Sequence, residues 1–244
     1  MKALCAITQN VLDNLNRNDD SGNQFIVILG IPNAVQTQLD ENRNSLDGIP
    51  FRFMFDGSTG LIKIIPSYAH AAATHKFVDT ITYTGAALGV PLNDIGWAGN
   101  TTFRTTVDNK GKQPDNCLLP STRQGRGGQP PGWPTMVLES GVSESLSKLH
   151  EDARWWFENS NGQVRIVIVM SVRRTSRTIL LEKWQLASLQ YPYIAQQVTI
   201  TPNTVVGNVP LCLPFQVLFD RLPEGNETDF LLDNQALMNL TLYL

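Results

Sequence analysis

Residues 134–172 read PTMVLESGVSESLSKLHEDARWWFENSNGQVRIVIVMSV, and this stretch decides the fold. Met136, Val137 and Leu138 form an apolar run that fits a buried strand. The run ends on an ionisable group, Glu139. Gly141 breaks the pattern, and Ser143 can open a helix. From 143 to 159, Leu146, Leu149, Ala153, Trp156 and Phe157 recur at helical spacing and share one face. Asn161-Gly162 stops that helix. Residues 163–172 are nearly all apolar, as expected for a strand covered on both faces. A carboxylate at the end of a buried strand costs free energy unless its charge is compensated. A hydrogen-bond network, a basic partner or a metal ion would each do so.

Working outward, FRFMFDGSTGLIKIIP (51–66) holds two alternating runs around Asp56-Gly57-Ser58-Thr59-Gly60, a hairpin signal. The next segment places Ala71, Thr74, Val78, Ile81, Gly85 and Leu88 at helical spacing, and Gly89 would end that helix. TTFRTTV and DNCLLP read as short strands. Residues 121–133, STRQGRGGQPPGW, are too rich in glycine and proline for regular structure. Downstream, Arg173–Arg177 make a polar turn and TILLEKWQL a further strand. At the start, residues 2–14 suit a short helix and QFIVILGIP (24–32) a strand, with a polar helix or loop after it. A final helix is expected from about Asp233. The order predicts an α/β (α+β) protein with a mixed central β-sheet flanked by helices.

The chain has 244 residues, 42% hydrophobic and 17% charged, enough apolar content for a real core. Its net charge of −3 gives no global signal for nucleic acid or an anionic membrane. No apolar stretch approaches the roughly 18 residues of a membrane span. Cys5, Cys117 and Cys212 show no zinc spacing and imply no disulfide framework, so reduced thiols are expected. The opening segment has too short an apolar stretch for a signal peptide, which makes an intracellular protein the expectation, cytoplasmic or nuclear. The sequons at Asn100, Asn226 and Asn239 then read as chance matches.

The second acidic residue of interest lies in KQPDNCLLP. Asp115 enters a short apolar run 24 residues before Glu139. Pairing of their two strands would bring both carboxylates to one end of the sheet. Two carboxylates plus the Ser140 backbone carbonyl suit a hard cation such as Mg²⁺ or Mn²⁺. Such an ion can polarise a phosphodiester and activate a water.

Those residues, PD followed 24 positions later by ExG, then VSES and a helix, resemble the PD-(D/E)XK restriction-endonuclease-like superfamily. KQPDNCLLP, residues 134–172 and ILLEKWQ look like fungal proteins that are distant relatives of small bacterial restriction-endonuclease-domain proteins. The resemblance covers residues 50–185. It implies one domain over 1–244, with a restriction-endonuclease-like core at 50–185, an N-terminal extension at 1–49 and a C-terminal extension at 186–244. It also implies a divalent-metal-dependent nuclease with Asp115 and Glu139 catalytic.

One departure matters. Gly141 stands where the superfamily carries its lysine, which orients the attacking water and stabilises developing charge. Lys148 is a substitute by type, but its helical angle points it to solvent. Arg154, at the flank of the apolar stripe, is the expected catalytic cation. Ser143 and Glu144 are accessory candidates near Glu139, able to hold a metal-bound water or simply to cap the helix. His75, on the preceding helix, is another, against the plainer role of a helix-flank residue. Arg123 and Arg126, in the glycine-proline loop, are candidates for phosphate contact in DNA or RNA. For Arg173, Arg174 and Arg177 a solvated turn is favoured. Trp155 points away from the core-facing stripe, toward the C-terminal tail or a homodimer contact, with base stacking less favoured. The plain alternative for Asp115 and Glu139 is a structural pair satisfied by backbone amides and a nearby arginine. Three functions therefore compete: a nuclease, a degenerate member of the fold that binds nucleic acid or protein without cutting, and a scaffold with a relic pocket. Gly141 and the acidic balance favour the second.

Overall fold

The structure, a computed structural model, describes residues 1–65, 68–99, 101–125, 127–142, 144–187 and 191–242, with the backbone alone at 68 and 69. The chain begins with α1 (Lys2–Arg17), β1 (Phe25–Ile28) and α2 (Asn33–Glu41). The hairpin β2 (Phe51–Asp56) and β3 (Thr59–Ile64) follows, then the long α3 (Tyr68–Ala87). Four short strands come next: β4 (Gly96–Trp97), β5 (Phe103–Arg104), β6 (Lys110–Lys112) and β7 (Asn116–Leu119). The centre is β8 (Met136–Val142), α4 (Leu146–Asn159), β9 (Ile166–Arg173) and β10 (Thr178–Leu186). The chain closes with β11 (Pro192–Ile200), β12 (Val205–Gly207), β13 (Leu211–Leu213), α5 (Phe215–Phe219), β14 (Phe230–Leu232) and α6 (Asn234–Met238).

This is a mixed α/β fold. Seven strands form the central sheet in the order β12-β11-β10-β9-β8-β7-β4. Its β8–β9 pair is parallel and the remaining pairs are antiparallel. The parallel pair is joined through α4, a crossover that antiparallel neighbours would not need. Both faces are covered, which is why Ile166–Met170 show no exposure. One face packs Met136, Leu138, Ile168 and Met170 against Ala73, Phe77 and Ile81 of α3. The other packs Val137, Val167 and Val169 against Leu149, Ala153, Trp156 and Phe157 of α4. Alternation along β8 therefore sends Ser140 toward α3 and Glu139 toward α4.

The hairpin forms as its alternation predicts, pairing Asp56 with Thr59. It belongs to a second sheet, β1-β3-β2-β6-β5, rather than to the central one. The N-terminal strand is part of that sheet, since Phe25 pairs with Lys63. Phe51, Phe53, Phe55, Ile62 and Ile64 face α1 and α2 in a separate core. Lys63 lies between two inward isoleucines, so it emerges on the opposite face, toward the end of β8.

Helix α4 starts later than 143. Ser145 is its N-cap, its Oγ accepting from Lys148 N at 3.3 Å. Ser143 and Arg126 lie outside the described residues. At the chain's end Asp233 caps α6, accepting from Ala236 N at 2.9 Å. No helix among the described residues is long and apolar enough to cross a membrane.

Candidate functional site

Strand pairing brings the two acids together. β7 runs antiparallel to β8 with Asn116 opposite Leu138, so Asp115 stands opposite Glu139. Asp115 Oδ2 accepts from Ser140 N at 2.8 Å, which locks it to β8. Beyond that point the two side chains have different partners.

Asp115 is 2% exposed. Lys63 Nζ lies 3.2 Å from its Oδ2, and Arg52 Nε lies 3.6 Å from its Oδ1. The same lysine donates to Ser140 O at 2.7 Å and lies 3.0 Å from Glu144 Oε2. His70, on α3, adds its Nε2 at 3.0 Å from Ser140 O and 3.4 Å from Asp115 Oδ2. Burial alone would raise the Asp115 carboxyl, but Lys63, His70 and Arg52 hold it well below the ordinary carboxylate range. Burial alone would lower the Lys63 ammonium, but Asp115 and Glu144 drive it upward, so it stays charged.

Glu139 faces α4. Its Oε1 accepts from Trp156 Nε1 at 2.6 Å and lies 3.2 Å from Lys112 Nζ. Lys112 also reaches Asp152 Oδ1 at 2.5 Å, and Lys148 meets that same oxygen at 2.7 Å. Burial pushes the Glu139 carboxyl up to about 7, with Lys112 pulling against it. Asp115, Glu139, Glu144 and Asp152 thus face Lys63, Lys112, Arg52 and Lys148. Four acids meet four permanent cations, with His70 beside them. The space among Lys63, Lys112, Glu139 and Asp152 amounts to about 20 Å³, room for roughly one water. On the α3 side, a larger cleft of about 300 Å³ is bordered by Arg52, His70, Thr74, His75, Asp115 and Asn116.

Gly141 has a steric reason. A Cβ there would lie 2.6 Å from Glu144 Cβ and 2.6 Å from Glu144 Oε2. Glu144 therefore occupies the side-chain space that a residue at 141 would need. It is held there by Lys63 and by Gln24 Nε2 at 2.9 Å.

Several expected residues stand elsewhere. Arg154 is exposed, with its guanidinium 5.8 Å from the centre of the Trp184 ring, rather than with the acids. Lys148, expected in solvent, instead bends along α4 to Asp152 one turn on. Arg123 is held by Asp220 and donates to the carbonyls of Trp133 at 3.0 Å and Gln163 at 2.8 Å, so it braces the loop internally. His75 is exposed at the cleft rim, and the histidine of α3 that reaches the acids is His70. Trp155 is half-buried against Trp133 and Trp156, at 6.2 and 5.0 Å between ring centres, so the glycine-proline loop covers it rather than the tail.

The centre also holds residues that sequence reasoning passed over: Lys63, Lys112, His70, Arg52 and Asp152. Two of them left a signal. Lys63 interrupts the otherwise apolar run LIKII, and Lys112 stands three residues before Asp115. Among the described residues, no group of three or more His, Cys, Asp and Glu side chains is arranged to hold a metal ion.

No family model matches the chain, and no curated protein matches it. Among solved structures, it is similar to a DUF820 protein from Anabaena variabilis ATCC 29413, described as a candidate nuclease. The two are 13% identical with a TM-score of 0.48, over 78% of this chain and 91% of that one.

Proposed function

We propose that the chain is a catalytically degenerate PD-(D/E)XK-like protein that acts as a binding module and does not hydrolyse phosphodiesters. One observation carries this reading. The Lys63 ammonium contacts Asp115 Oδ2, Ser140 O and Glu144 Oε2, taking the place among these oxygens that Mg²⁺ or Mn²⁺ would need. With Lys63 there, the donors do not fit a divalent ion. The charge balance supports the same reading, because four carboxylates already neutralised by four cations offer no net attraction for a further cation. The element order supports kinship with the superfamily: a helix, an antiparallel strand pair with Asp115 just before its first strand and Glu139 in its second, a helix, then a strand parallel to β8.

A protein partner fits this molecule better than nucleic acid. The net charge is −3. Arg104, Arg123, Arg165 and Arg174 are engaged with Asp40, Asp220, Asp220 and Asp20 of the same chain. Pairing of these four withdraws part of the chain's basic surface from phosphate contact.

The test is incubation with single- and double-stranded DNA and RNA in Mg²⁺ or Mn²⁺, beside Asp115→Ala and Glu139→Ala. The expected result is no metal-dependent cleavage by any of the three proteins. Cleavage that requires metal and is lost in both variants would overturn the reading and make the chain a nuclease.

A further inference from the structure

The smaller sheet ends on β1, and that edge lacks the devices that close the others. Residues 23–31, NQFIVILGI, contain no charge and no proline, and β1 keeps one register with β3 from Phe25 to Ile28. The other edges among the described residues are blunted. β4 and β5 have two residues each, and Arg104 is exposed on β5. β12, β13 and β14 have three each, and β11 opens on Pro192 and meets β10 across a bulge. Main-chain direction decides what β1 offers. Gln24 O accepts from Ile64 N at 2.8 Å, so Gln24, Ile26 and Ile28 turn their main-chain groups to β3. Phe25, Val27 and Leu29 turn theirs outward. Phe25 N is taken by Asn23 Oδ1 at 3.0 Å. Phe25 O, Val27 N, Val27 O and Leu29 N have no hydrogen-bond partner among the described residues. The side chains of these three residues share one face, on which Val27 is 62% and Leu29 79% exposed and Phe25 is half-buried.

We propose that β1 is a dimer edge, pairing antiparallel with β1 of a second copy of this chain about a two-fold axis at Val27. The unused groups carry the argument, because they are self-complementary. With Val27 opposite Val27 of the second copy, Val27 N donates to Val27 O in both directions. Leu29 N then donates to Phe25 O of the second copy, again in both directions. Phe25 N, already engaged by Asn23, lies at the outer margin of that register, where Leu29 O keeps its water. An unrelated strand would use the same four groups but has no reason to match them about a two-fold axis. The side chains fit the same pairing. Phe25 faces Leu29 of the second copy and Val27 faces Val27, so the exposed apolar side chains of each copy cover those of the other. The absence of charge over 23–31 removes like-charge repulsion across the axis. The pairing joins the two smaller sheets into one, and it stands independently of whether the chain cuts phosphodiesters.

The experiment is sedimentation velocity on the full chain between about 1 and 200 μM, joined to hydrogen exchange at individual amides. It compares wild type, Val27→Lys and Val206→Lys. Val206 is 67% exposed on β12, at the edge of the other sheet, and serves as the control. The expected result for wild type is a concentration-dependent equilibrium of monomer and dimer, with the Val27 amide exchanging slowly at high concentration and fast at low. Val27→Lys sets two ammonium groups opposite each other and should weaken the dimer at least about a hundredfold, with fast exchange at that position. Val206→Lys should leave the affinity within about threefold. Val27 is exposed, so its replacement should leave the fold intact, checked by an unchanged far-UV circular dichroism spectrum. If Val27→Lys fails that check, Leu29→Glu takes its place with the same expectation. A wild type that stays monomeric at the highest concentration overturns the inference. So does a dimer that survives the charged substitution in β1, or one in which the Val27 amide exchanges fast throughout.

Discussion

Replacing Lys63 by methionine keeps the stem's volume and removes the charge shared by Asp115 and Glu144. Losing one partner of a buried pair should cost about 3–5 kcal/mol of stability, read by chemical denaturation. A cost near zero would mean that the lysine does not hold these acids. Placing a lysine two positions after Glu139, as Gly141→Lys, should not confer cleavage. The new side chain would collide with Glu144, and even Gly141→Ala should cost about 1–3 kcal/mol. Glu139 gives a pH signature. Burial raises its pKa from 4.5 to about 7, so the folded state holds this proton more tightly than the unfolded state. Its contribution is complete below about pH 4.5 and is lost as pH rises through about 7. Asp115 and Asp152 act in the other direction. Their pKa values fall below the ordinary 3.8 beside Lys63 and Lys112, so their contribution is lost as the solution is made more acidic than that. Stability should therefore decline between about pH 4.5 and pH 7 in wild type, and Glu139→Gln should flatten that decline. An unchanged slope in the variant would contradict the assignment.

At the scale of elements, the capping of α4 by Ser145 predicts a loss of about 1 kcal/mol for Ser145→Ala, checked by the same denaturation series. Sequence pattern located most of these elements because their periodicities were strong. The stripe Leu149, Ala153, Trp156 and Phe157 placed α4, and the unbroken apolar run placed β9 between two covered faces. The pairing that sets Asp115 opposite Glu139 was legible for the same reason. The cap of α4 is Ser145 and not the expected Ser143, because the two serines are equally good caps in composition. The second sheet was not legible. Nothing local in Phe51–Ile64 says that its partners are β1 and the three-residue β6. The cations of the centre were missed through that gap, since Lys63 and Lys112 arrive on that sheet. Helical angle favours Arg154 over Lys148 because it ignores how far a lysine stem bends. The chemistry was half legible: the acids announced themselves at the end of a buried strand, and the groups that answer them came from a distance in sequence.

Across the whole molecule, two sheets meet at a charged seam that is neutral within itself. The seam joins β3 and β6 of the smaller sheet to the end of β8 and to α4. At the periphery Arg104, Arg123, Arg165 and Arg174 are likewise paired within the chain, while Arg17, Arg154, Arg173 and Arg177 are exposed. A molecule balanced in this way should bind duplex DNA weakly and without the steep salt dependence of a phosphate-tracking surface, read by fluorescence anisotropy between about 50 and 200 mM salt. The central claim, that a lysine takes the cation's place beside Asp115, is tested most directly by crystals of the wild-type protein soaked in MnCl₂ and measured at the manganese absorption edge. The account predicts no anomalous peak there, with Lys63 Nζ in density between Asp115, Ser140 and Glu144. An anomalous peak within about 2.0–2.6 Å of Asp115 and Glu139 oxygens, with Lys63 displaced, would contradict it.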